Sequence, residues 1–96
     1  MALLVPSLCS LWVWSELRAM RRGLNDWKAA QVAFAASRPT PAEILPRSEG
    51  GADTGSVVTG DDGTVRAVCI MGPQWHYAWF EIDRTGRAVG VTFSVK

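Results

Sequence analysis

Apolar residues recur at Val13, Leu17, Met20, Leu24, Trp27 and Phe34, with Gln31 in the one place the pattern leaves open. Steps of four and three keep one face of an α-helix apolar, and Glu16, Arg18, Arg21, Arg22, Asn25 and Lys28 fall mostly on the other faces. The spacing predicts a helix over residues 15–37. Gly23 weakens it by about 1 kcal/mol relative to Ala, and Asn25 and Asp26 behind it are good N-caps, so two shorter helices are the alternative to one long one. Pro39 and Pro41 end the pattern, because proline disfavours helical geometry at the residue before it.

Ahead of that helix, residues 1–14 are uncharged and apolar apart from Ser7 and Ser10. A membrane span needs about 20 apolar residues, whereas this run carries Pro6 and meets Glu16. A secretory signal would set positive charge before the apolar run, but the first basic residue is Arg18. The stretch reads as an apolar arm ending in Trp12 and Trp14, which packs on its own domain, meets a partner or lies at a membrane interface. Folding back over the domain is the expectation, since small domains need every apolar contact.

Residues 38–63 hold Pro39, Pro41, Pro46 and the glycines 50, 51, 55, 60 and 63, and read as a long loop with an edge strand at 57–59 and a mobile stretch at 49–56. Beyond Thr64, β-branched and aromatic residues dominate. Turn signals at Gly72-Pro73 and Arg84-Thr85-Gly86-Arg87 cut this part into runs 64–70, 75–83 and 88–96, an antiparallel meander with Gly86 in the left-handed position. The whole is a single small α+β domain over residues 1–96. Its N-terminal helix, one long or two short, packs on a three- to four-stranded antiparallel sheet.

Alternation assigns the faces. His76, Ala78, Phe80 and Ile82 with Val89, Val91, Phe93 and Val95 form the core side, Ile82 facing Val89 and Phe80 facing Val91. A hairpin centred on Gly72-Pro73 sets Val65, Ala67 and Cys69 opposite Phe80, Ala78 and His76, and Arg66 opposite Trp79. The other face then carries Trp75, Tyr77 and Trp79 beside Val68, Ile70, Thr92 and Ser94, where a sheet with one helix would ordinarily be polar. With Arg66 and Arg84 at the rim, this composition matches protein-interface hot spots.

Ten basic against nine acidic residues give a net charge of +1, too weak a field for duplex nucleic acid. The first 47 residues carry +3 and the remainder −2, so single-stranded RNA on the aromatic face is disfavoured as well. Cys9 and Cys69 are too few for a secreted disulfide scaffold and point to the reducing cytoplasm. With a single histidine they do not make a structural zinc site, and no phosphate-binding glycine motif occurs, so neither metal nor cofactor is expected. Cys69 opposite His76 is the one catalytic hint, a thiol beside a base. Asp53-Thr54-Gly55 matches the tripeptide of aspartic proteases, but it follows glycines where those enzymes have an apolar strand. Asp61 and Asp62 read as a hairpin turn.

The reading is therefore a non-enzymatic protein-binding domain, a small inhibitor or accessory subunit. Its contact residues are Trp75, Tyr77, Trp79, Arg66 and Arg84, with Trp12 and Trp14 of the arm as a second surface. The alternatives are a small Cys/His enzyme and a membrane-associated accessory subunit held by the arm. Self-association through the helix stripe stays open, because a short sheet leaves part of that stripe uncovered.

Overall fold

The computed structural model describes the backbone of residues 4–95 and the side chains of residues 17–95. Helix α1 runs unbroken from Leu4 to Ala36. It begins earlier than expected, so the backbone of the arm from Leu4 onward belongs to the helix. Pro6 lies in the first described turn, and the helix carries it without a break. Gly23 is exposed, and a Cβ there would meet nothing within 4 Å, so neither packing nor a turn requires it. Its propensity cost is too small to break a helix whose following turns are packed.

The helix stops at Arg38, which takes a left-handed φ of 53° ahead of buried Pro39. Three contacts hold this stop. Arg38 pairs with Asp83, Arg87 Nη1 donates to the Arg38 carbonyl at 3.0 Å, and the Ala88 N–H donates to the Pro39 carbonyl at 2.9 Å. Helix α2 (Pro41–Ile44) follows, and its Ile44 is fully buried in the core. The stretch expected to be mobile is tied down: Met71 N–H donates to the buried Ser48 hydroxyl at 2.9 Å and Glu49 N–H to the Met71 carbonyl at 3.0 Å.

Four antiparallel strands, β1 (Ser56–Thr59), β2 (Val65–Met71), β3 (His76–Ile82) and β4 (Ala88–Val95), form one sheet in chain order. Between β3 and β4, Phe80 faces Val91 as expected, and Gly86 takes a φ of 83°. A bulge opposite Glu81 and Ile82 then sets Ala88 against Ile82. Ala88 is buried, while Val89 and Val95, both expected in the core, are exposed.

The β2–β3 register differs from the expected one by three residues. Met71 faces Tyr77, Cys69 faces Trp79 and Val68 faces Phe80. The cause is the turn. Residues Pro73–Trp75 form a 3-10 turn in which Gln74 and Trp75 are both left-handed, with φ of 56° and 61°, and Gly72 N–H closes it on the His76 carbonyl at 2.8 Å. An odd shift exchanges the faces of a strand. Val68 and Ile70, expected on the outer face, are therefore fully buried beneath the helix.

The core lies between α1 and the sheet, with Phe80, Ile70, Val68 and Ile44 fully enclosed. Phe34 meets Phe80 edge-on at 6.1 Å, and Trp27 meets Phe93 at 5.7 Å. Gln31 occupies its place in the apolar stripe because both ends of its amide are bonded: Nε2 donates to the Trp27 carbonyl and Oε1 accepts from Arg47 Nε, each at 3.2 Å. Arg47 in turn lies over the Phe34 ring at 4.0 Å.

Asp83 gives the first testable consequence. Its Oδ1 accepts from the Thr85 hydroxyl, the Thr85 N–H and the Arg87 N–H, and its other oxygen pairs with Arg38. The Thr85 hydroxyl foremost, then these backbone donors and the Arg38 charge, hold the carboxyl below its usual range. A depressed folded value means the stabilisation is present above the unfolded value, about pH 4, and disappears as pH falls through the folded one. Asp83→Asn is expected to lower the melting temperature by a few degrees at neutral pH, and the gap from the native chain should close in scans below pH 4. A gap independent of pH would mean the carboxylate charge plays no part.

Candidate functional site

Antiparallel partners share a face, so Cys69 and Met71 of β2, Tyr77, Trp79 and Glu81 of β3, and Thr92 and Ser94 of β4 lie on the side away from α1. Trp79 is 37% exposed, and its indole N–H is fixed by a 2.7 Å bond to the Ser94 hydroxyl. Tyr77 beside it is half-buried. A shallow groove of about 390 Å³ runs past Trp79 along Ala67, Glu81, Gly90 and Thr92.

The other expected members of this surface lie elsewhere. Trp75 sits in the β2–β3 turn rather than on the strand and is 69% exposed. Arg66 is displaced by a register shift where Thr59 of β1 meets Val65, and it pairs with Asp62 at 3.3 Å. Together with Arg84, Asp83 and Thr64 it lines a cavity of about 580 Å³ at the end of the sheet where the β1–β2 and β3–β4 turns meet. The aromatic platform is thus Tyr77 and Trp79 on the face, Trp75 at one end and the two arginines at the other. The Trp12 and Trp14 side chains lie outside the described residues.

Cys69 and His76 do not form a pair. Cys69 faces Trp79 and His76 faces Val95, which puts them on opposite faces and about 10 Å apart along the strands. Burial pushes the Cys69 thiol up, away from a nucleophilic thiolate. His76 Nδ1 lies 3.0 Å from the Gln74 carbonyl. Asp53 and Thr54 belong to a 3-10 turn, where the Thr54 hydroxyl donates to the Glu49 carbonyl at 2.6 Å. Asp62 is held below its usual pKa by the Thr64 hydroxyl and N–H, with a smaller contribution from Arg66, which is turn geometry. Among the described residues, no group of three or more His, Cys, Asp and Glu side chains is placed to hold a metal.

One further feature lies where α1 leaves the sheet. Gln74 Nε2 donates to the Met20 carbonyl at 2.8 Å, and Leu17 and Met20 are 44% and 47% exposed. An eight-residue strand such as β4 covers about 26 Å, which about 17 helical residues match. The rest of the 33-residue helix has no sheet to lie on. Residues 4–19 extend about 24 Å past the head at the helical rise, and the molecule measures 69 × 22 × 19 Å. The uncovered stripe was readable from length alone, a stripe longer than the strands.

Comparison with protein-family models, curated proteins and solved structures finds no match. Among the described residues, no helix is long and apolar enough to cross a membrane.

Proposed function

We propose that the protein is a non-enzymatic accessory subunit, attached to a membrane surface through the N-terminal half of α1, whose α+β head binds another protein. The observation that carries this reading is a helix whose apolar stripe continues past its own domain, with Leu17 and Met20 facing solvent. Folding back over the domain was the expected use of the arm, but from Leu4 onward the continuous helix directs the backbone away from the sheet, and Trp79 stays exposed on the face such an arm would cover. The sequence around the exit fits a bilayer. Residues 1–15 carry no charged side chain, Trp12 and Trp14 close that run, and Arg18, Arg21 and Arg22 follow against one Glu16. Indoles favour the headgroup level, and each arginine near an anionic surface adds about 1 kcal/mol of attraction.

For the head, Tyr77 and Trp79 with the adjoining groove support a protein-docking face. Their rings offer apolar area at low entropy cost, and Trp79 is already pinned by Ser94.

Vesicle flotation tests the attachment. The intact chain should float with vesicles containing phosphatidylglycerol and less with phosphatidylcholine alone. Arg21→Gln with Arg22→Gln should weaken binding to the anionic vesicles about thirtyfold, from two interactions of about 1 kcal/mol each. Leu11→Glu, which places a charge inside the apolar run, should weaken binding to both vesicle types by on the order of a hundredfold. An intact, folded chain that floats with neither would overturn the attachment.

A further inference from the structure

We infer that the β2–β3 turn is a second membrane contact, with Trp75 seated in the headgroup layer of an anionic bilayer beside the exit of α1. The inference rests on the attachment reading above and adds what sets the head against the surface.

Trp75 is the most exposed large apolar side chain among the described residues. The backbone that presents it is strained. Gln74 and Trp75 are consecutive left-handed residues, a conformation costing roughly 1–2 kcal/mol for each side chain larger than glycine. Such strain persists only where the surroundings enforce it. Here the enforcement comes from α1: Gln74 Nε2 is bonded to the Met20 carbonyl, and the Trp27 ring lies directly over Gly72. The turn is therefore fastened to the helix at the level where the helix leaves the head, and the indole cannot change its height independently.

The surroundings at that level are apolar and, on balance, basic. Leu17 and Met20 are exposed where the helix leaves the head, the Met20 carbonyl accepting from Gln74, and Val95 is exposed opposite His76 at the end of β4. Arg18, Arg21 and Arg22 lie in the same helical turns as Leu17 and Met20, against Glu16 there and Glu49 in the groove beside Trp75. An apolar rim with an indole and a basic excess matches the interface of an anionic bilayer, where an indole buries its ring and keeps its N–H hydrated.

The test uses the full chain with phosphatidylcholine–phosphatidylglycerol vesicles. Trp75→Ala should bind about tenfold more weakly than the native chain, a loss consistent with exposing one large apolar side chain. Trp75→Phe should recover most of the affinity, and circular dichroism should be unchanged in both. As a measurement independent of that variant's affinity, Trp75→Cys in a Cys9→Ser background, labelled with an environment-sensitive dye, should shift to the blue on vesicle addition and be quenched by spin-labelled lipid. If the native chain binds while Trp75→Ala binds equally well and the dye does not respond, the second contact is overturned and the helix attachment stands. If the native chain binds no vesicle, both fall.

Discussion

Phe80→Ala is expected to lower the unfolding free energy by about 3–5 kcal/mol, the range for removing a large aromatic side chain from a closed core. Phe80 is fully buried at the middle of β3, with Val68 opposite on β2, Val91 opposite on β4 and the Phe34 ring edge-on from α1. Four elements meet at this one ring. Little can collapse into the space, because the backbones around it are fixed by ladder bonds on both sides. Domains of this size hold only about 5–15 kcal/mol in total, so the variant should be largely unfolded in moderate urea where the native chain is not. Phe80→Leu, which restores most of the volume, should lose no more than about 1.5 kcal/mol. Urea titrations followed by far-ultraviolet circular dichroism report both. A loss below about 1 kcal/mol for Phe80→Ala would place Phe80 outside the core.

Much of this centre could be read from the chain. The stripe from Leu24 to Phe34, the alternation through Ala78, Phe80 and Ile82, the pairing of Phe80 with Val91 and the left-handed Gly86 all follow from period and turn chemistry acting over short range. The first hairpin did not. Gly72-Pro73 reads as a two-residue turn, yet two left-handed non-glycine residues extend it, and their conformation is enforced by Met20 and Trp27, more than forty residues upstream. No local signal marks a tryptophan for that backbone. The consequence for the candidate surface is direct. Tyr77 and Trp79 could be placed because alternation within one strand suffices, whereas Arg66 and Trp75 could not, because their positions depend on a register shift and on a tertiary contact. Val89 was misplaced for the same reason, a bulge that alternation does not foresee.

Gly72→Ala is expected to cost about 3 kcal/mol, at the upper end for adding one methyl group to a filled site. The backbone at Gly72, with φ of −128°, suits any residue, so the effect is steric. A Cβ there would stand 2.2 Å from Trp27 Cζ2 and 2.4 Å from Cε2 and Cη2, closer than any tolerated contact. The indole is a rigid plane held against Phe93 and cannot yield by bending. Either Trp27 gives up that ring contact or α1 lifts from the end of the sheet, which would also strain the Gln74 bond to Met20. A double-mutant cycle separates the clash from any general effect of alanine at this turn. In a Trp27→Ala background, itself weaker than native, the added cost of Gly72→Ala should fall to within about 0.5 kcal/mol of zero, because the atom it collides with is gone. An undiminished cost in that background would mean that Trp27 does not close over Gly72. The attachment of the turn to the helix, and the fixed height it gives Trp75, would then lose its support.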